Sequence, residues 1–437
     1  MRVLRLACAC AVAAVLLTGP APAAAQAPAA AQALRQEIDQ LRKDFDQRLA
    51  ALEARLAALP GGQAAAPTPA APTPPTASTA QVPTGADGAG GQSGAAPVYG
   101  ATGSAVGGAK VFNPDIAVIG DFLGAAGRNR VNPSPALEMH ESEASFQAVV
   151  DPYARADFFM AFGAEGVELE EGFLTLTSLP GGLLTKVGKM RAAFGKVNAL
   201  HNHSLSWTDR PLVTMNLAGG EDGINDAGVS VARLIPNPWM FLEATGQMFR
   251  GDSGETLFKS SRRSDLSYVG HLRGYQDISE STNIDLGLSY SRGHNPSGLV
   301  VDVDPGRFTT RLFGVDATYR WRPLRRAIYH SFIARSEWIW SRRQQPDGPQ
   351  SGTGGYVSGD YQLGRRWFAG ARYDRANHAD DQSLLDTGGS LVLTYRPSEF
   401  SHVRTQYRRT NYAREQAANE LLFQFLFSIG AHGAHVF

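Results

Sequence analysis

The chain has 437 residues, 43% hydrophobic and 19% charged, and its 41 basic side chains are balanced by 41 acidic ones. That length carries one large domain with appendages, and the zero formal charge speaks against a nucleic-acid partner. Both cysteines, Cys8 and Cys10, fall in the N-terminal leader, so the mature chain has no route to disulfides or thiolate metal sites.

Residues 1–25 read as a signal peptide. Arg2 and Arg5 form a basic start, an apolar stretch runs from Leu6 to Thr18, and Ala23-Ala24-Ala25 predicts cleavage before Gln26. A membrane anchor is the weaker reading, because the apolar run is short for a bilayer. Residues 26–59 follow as a helix. Leu34, Ile38, Leu41 and Phe45, then Leu49, Leu52, Leu56 and Leu59, form one apolar stripe with a stutter at the joint. A lone stripe is most simply buried against its own copies, which predicts a self-associating coiled coil, dimeric or trimeric, with a helix lying on another surface as the rival reading. Residues 60–110 are mostly Ala, Pro, Thr, Gly and Ser and read as a linker without a core.

From Val111 to Phe437 the period changes to two. Phe313, Val315, Ala317, Tyr319 and Trp321 alternate with small or polar residues. Ala154, Ala156, Phe158, Met160 and Phe162 interleave with Arg155 and Asp157. Phe423, Phe425, Phe427 and Ile429 face away from Gln424 and Ser428. A β-sandwich also alternates, but charges at mid-strand on one face and aromatics near strand ends on the other are what a wet-lumen barrel in lipid requires. No stretch of 18 consecutive apolar residues follows the leader, and barrel strands of about 9–11 residues do not need one.

Candidate strands number about sixteen, from 112–124 to 419–437. Tight turns are expected at Asp151-Pro152, Leu179 to Gly182, Pro236 to Pro238, Ser279 to Ser281, Pro323 to Arg326, Gly364-Arg365 and Pro397-Ser398. Longer connections alternate with them, except at 163–167. Val167 to Leu179 loses its alternation at Glu170-Glu171, which predicts a bulge. The expected fold is an all-β transmembrane antiparallel barrel behind a coiled coil and a linker.

Lys186-Val187-Gly188-Lys189-Met190-Arg191-Ala192-Ala193-Phe194-Gly195 and the terminal Phe437 are the residues in which the chain resembles outer-membrane porins, in particular the phosphate-selective-porin-like group. The resemblance implies a pore in a Gram-negative outer membrane, a homotrimer with its N-terminal coiled coil in the periplasm, contact with membrane lipid, and Phe437 as the signal read by the outer-membrane assembly machinery. It also implies that the loop after the fifth strand, 196–225, folds inward as the constriction. Lys196, His201, His203, Asp209, Arg210, Glu221 and Asp222 are its charged and polar candidates, with Val213, Met215 and Leu217 to pin it to the wall. A sixteen-strand channel is too wide to select by its wall alone, so something must narrow it.

The candidate wall is mixed. Arg155, Lys189, Arg191, Arg273, Arg320, Arg335, Arg372, Arg404 and Arg408 stand against Asp121, Glu141, Glu143, Asp157, Glu243, Asp285, Asp316, Glu337 and Asp374, so no sign preference is readable. Imidazole suits zinc or copper, yet in sequence His201 and His203 read as polar pore lining, and His432 and His435 point to opposite strand faces. Glu165, Glu168, Glu170 and Glu171 read as a solvated acidic rim, with a divalent cation held by their oxygens as the weaker reading. No serine has a positioned base, so no enzyme and no cofactor are expected. Two rivals to a passive porin remain: a receptor or transporter for a metal or metal chelate, which would need a plug domain, and a structural barrel tethered by its coiled coil.

Overall fold

Alternation beyond residue 114 becomes antiparallel strands wrapped into a closed barrel of sixteen. The structure is a computed structural model that describes residues 114–430, apart from 164–165, 255, 298–306 and 415, together with Gln40, Lys43 and Gln47, which are helical and exposed. The leader, the linker, most of the expected coiled coil, His432, His435 and Phe437 lie outside the described residues.

The strands are β1 (Asp115–Arg128), β2 (Leu137–Asp151), β3 (Ala154–Gly163), β4 (Gly166–Leu179), β5 (Leu183–Arg191) and β6 (Asn225–Leu234). They continue as β7 (Phe241–Phe249), β8 (Ser267–Ser279), β9 (Thr282–His294), β10 (Thr309–Trp321) and β11 (Phe332–Arg343). The last are β12 (Gln350–Gln362), β13 (Trp367–Asn377), β14 (Leu385–Ser398), β15 (Ser401–Tyr412) and β16 (Gln416–Gly430). Each pairs with its neighbours in sequence, and β1 closes on β16 from Ala117↔Gly430 to Arg128↔Asn419. Closure satisfies every edge, the condition for a sheet in hydrocarbon.

Most short connections lie at one end, although β3 to β4 and β15 to β16 are joined by only two and three residues at the other. One is longer than expected: 322–331 spans consecutive turns rather than the four residues from Pro323, with Arg326 N–H bonded to the Pro323 carbonyl and Tyr329 N–H to that of Arg326. Leu324, Ile328 and Tyr329 stay exposed there, as do Tyr153, Trp239, Trp367 and Phe400 near other turns of the same end. Indole and phenol rings of this kind suit a membrane–water boundary, being apolar in body and polar at one edge.

Alternation decides what faces in and out. On β15, Val403 and Tyr407 are exposed while Arg404, Gln406 and Thr410 are buried inside. The expected bulge lies on β4. Phe159 pairs with Glu171 and Met160 with Leu169, so Glu170 is the extra residue and both glutamates are buried inside.

The inner wall is not uniformly polar. Leu312 of β10, Ile339 of β11, Tyr356 of β12, Ala376 of β13 and Val392 of β14 are buried in one cluster with Phe194, Val197, Trp207, Val213 and Leu217 of the long connection. Fully burying such a side chain is worth about 1.5–3 kcal/mol, so this half of the lumen has its own hydrophobic core.

Candidate functional site

Residues 192–224 join β5 to β6 and fold into the lumen. Only Glu221 and Asp222 of the segment are exposed. Its neck is closed by Ala192 N–H on the Ile224 carbonyl at 2.8 Å. Asn198 staples the neck, its Nδ2 donating to the Ala192 and Ile224 carbonyls at 2.9 and 3.0 Å and its Oδ1 accepting from Ile224 N–H at 2.7 Å. Gly195 makes the inward turn with φ of 61°, a conformation that costs glycine little.

Beyond the neck come a 3-10 turn at Asn202–Ser204 and a short helix, α1 (Leu212–Leu217). On α1, Val213 and Leu217 are one turn apart and both are buried. The expectation that Met215 joins them fails for that reason. Two residues along a helix is a different face, and Met215 lines the open side instead.

The loop is tied to the wall on many strands. Ala193 N–H bonds Gln247 Oε1 of β7, and Gly195 N–H bonds Ser289 Oγ of β9. Glu337 of β11 accepts from Lys196 and Val197 N–H at 3.1 Å each, and Lys196 Nζ lies 3.1 Å from Asp285 Oδ2. Leu212 N–H reaches Asp374 of β13, and Asn216 reaches Asp386 of β14. Thr208 N–H bonds Gln406 Oε1 of β15, and the Trp207 carbonyl accepts from Arg404.

Asp209 is the centre of this docking. Its Oδ2 lies 2.9 Å from both Arg372 and Arg408. Burial would raise the Asp209 carboxyl, but Arg372, Arg408 and the Gln406 amide outweigh it and bring the group down to about 2. Trp207 packs beside it, edge-on to Tyr356 at 5.2 Å and under the Arg372 guanidinium at 4.7 Å.

On the other side of the loop a cavity of about 690 Å³ remains. Asp121, His140, Arg408 and Tyr412 line it from the wall, and Asp209, Arg210, Met215 and Glu221 from the loop. His140 Nε2 and Glu221 Oε1 are 3.1 Å apart, and this contact holds the Glu221 carboxyl below its ordinary value.

The expected loop residues therefore divide. Asp209, Arg210 and Glu221 face the open side. Lys196 is committed to Asp285, and Arg210 also binds the Val197 and Leu200 carbonyls at 3.1 and 2.7 Å. His201 and His203 are buried against the wall.

Most expected wall residues face inward. Arg155 pairs with Asp157 at 2.6 Å, Arg335 with Asp360 at 2.6 Å, Arg372 with Asp374 at 2.7 Å, and Arg191 with Glu170 at 3.1 Å. Asp316, Glu337 and Arg404 are buried within the lumen.

Lys189 is a correction. It pairs in register with Gly172, which pairs with the outward Phe158, so Lys189 belongs to the outer face, where it bonds Glu168 at 3.2 Å. The basic residue that β5 sends inward is Lys186, buried over the Phe173 ring at 4.5 Å. Strict alternation from the exposed Val187 would have found it. Gln406 and Asp386 were likewise missed, although both sit at the inward parity of their strands.

No family model matches the chain. An uncharacterized protein of Aquifex aeolicus (strain VF5) is 27% identical over 387 residues, covering 75% of this chain and 81% of that one. Among solved structures, the anion-selective porin from Comamonas acidovorans is similar with a TM-score of 0.52 at 9% identity, over 72% of this chain and 99% of that one. A loop L8 deletion mutant of OmpT, an outer membrane protein of Vibrio cholerae, gives 0.50 at 10% identity, over 73% and 100%. The chain thus has the fold of outer-membrane barrel proteins.

Proposed function

We propose that the protein is an outer-membrane porin, a passive pore for small hydrophilic solutes or ions, with residues 192–224 as its constriction. The observation that carries this is the loop itself, which reaches from the Gln247 bond on β7 to the Gln406 bond on β15 and leaves a charged cavity beside it. Irregular backbone at membrane depth is tolerated where protein or water satisfies it, and this loop meets that condition. The exposed aromatic and aliphatic residues on the outer face support a lipid environment.

Within this reading, residues 1–25 export the chain, 26–59 hold a homotrimer in the periplasm, and Phe437 is read by the assembly machinery. Sixteen strands favour a porin over an energy-coupled receptor, which has about 22 and a plug domain ahead of the barrel. The narrowing element here arises inside the barrel sequence. No catalytic role is proposed.

Planar-bilayer recording tests the reading. The purified protein is expected to open stable channels, and removing 199–222 to raise the single-channel conductance. A folded barrel that conducts nothing would overturn the porin reading. An intact deletion variant with unchanged conductance would remove the loop as its constriction.

A further inference from the structure

Four carboxylates converge on two imidazoles where the loop meets β2 and β4. His201 Nδ1 lies 2.8 Å from Glu143 Oε2 and 2.8 Å from Glu170 Oε2, while its Nε2 lies 2.7 Å from Glu171 Oε2. His203 Nδ1 is 3.6 Å from the same Glu143 oxygen. Glu141 completes the group, and all six side chains belong to residues at most 9% exposed.

This arrangement does not close on its own. Arg191 offers one positive charge, 3.1 Å from Glu170. Even with both imidazoles protonated, the positive charges in direct contact are one short of the four carboxylates, and Arg210, bound to the Val197 and Leu200 carbonyls, acts on Glu170 and Glu141 only at longer range. Two carboxylate oxygens contend for Nδ1 of His201, which carries one proton at most. Among the described residues the buried Glu141 Oε1 accepts no hydrogen bond, and Glu143 Oε2 has only the contested His201 Nδ1 and, at 3.6 Å, His203 Nδ1. Buried charge left in that state is costly, and a bound cation is the direct remedy.

We propose that Glu143, His201 and His203 bind a divalent cation of the zinc class, with Glu170 as the neighbouring carboxylate. Ligand atoms of the first three lie within 4.8 Å of one another, as do those of Glu141, Glu143 and Glu170. The edge of a tetrahedron with bonds of about 2.1 Å is about 3.4 Å, close to the separation of His203 Nδ1 from Glu143. Mixed imidazole and carboxylate donors without thiolate suit zinc. Glu171 supplies the supporting contact, since accepting from His201 Nε2–H selects the tautomer whose Nδ1 is free for metal. The ion would clamp the loop to β2, so its effect on conductance rests on the porin reading, while the site does not.

The test uses the full-length protein in detergent, stripped with chelator and then dialysed against zinc. Metal content is measured by mass spectrometry and affinity by calorimetry, for wild type, Glu143→Gln, His203→Ala and the distant control His330→Ala. Heat-modifiable migration in gels shows that each barrel is folded. Stoichiometric zinc in wild type and His330→Ala is expected, with affinity weakened about tenfold or more in the other two. Equal zinc in wild type and His203→Ala would overturn the proposal. So would calcium binding that His203→Ala leaves intact, because that describes an all-oxygen site. Channels that form normally without zinc retention sink the site alone, and zinc retention without channels sinks the porin reading alone.

Discussion

Asp209 Oδ2 stands 2.9 Å from the Arg372 guanidinium, joining the middle of the loop to β13. Asp209→Asn removes this charge and the matching contact to Arg408. Arg372 keeps Asp374 and Arg408 keeps Glu420, so neither arginine is stranded. The expected cost is about 2 kcal/mol in loop docking. Open-channel noise in bilayer recordings should rise while gel migration of the folded barrel stays normal. A quiet trace from the folded variant counts against Asp209 as a tether.

The same tether has a pH dependence whose sign is set. Its folded value of about 2 lies below the ordinary 3.8, so the carboxylate contributes stability that is complete above about 4 and lost as pH falls through about 2. Conductance should change over that acid window in wild type, and Asp209→Asn should lack this component. A titration of identical shape in both proteins would reject the assignment.

Gly195 is expected to be the most sensitive backbone position of the loop. Its φ of 61° disfavours a side chain by about 1–2 kcal/mol, and an added Cβ would collide with the Glu337 carboxylate that receives Lys196 and Val197 N–H. Gly195→Ala should lower the melting temperature and alter conductance together. Gly181→Ala, with φ of 79° but open space around it, should affect stability only.

Register separates the two lysines of β5. Lys186→Gln removes an inward positive charge and should shift reversal potentials toward cation preference. Lys189→Leu, on the outer face, should leave selectivity and conductance as they were. A selectivity change in Lys189→Leu would mean that the register at Gly188 is wrong.

Alternation made the barrel legible. Strand number, the bulge at Glu170 and the inward parity of Arg372, Asp374 and Arg404 all follow from a period of two, which local sequence carries. What it does not carry is partnership across the lumen. Leu312, Ile339 and Val392 occupy inward positions because Val213 and Leu217 arrive to cover them, and nothing on their own strands announces this. Glu170 and Glu171 read as a wet rim for the same reason, since the histidines that enclose them lie on another segment. Lys189 shares the outward parity of the exposed Val187, two residues before it, so the alternation of β5 puts its charge on the outer face.

The seam between first and last strands bears on how the barrel assembles. Gln424 Nε2 donates to both oxygens of Asp121 at 2.9 and 3.0 Å, across 303 residues of chain. Bringing such distant segments together costs on the order of 5 kcal/mol of chain entropy before any contact repays it. Until β16 arrives, β1 offers hydrocarbon a row of unmatched amides. Zipping can therefore start among neighbouring hairpins, but the cylinder becomes a stable guest of the bilayer only in its final stitch.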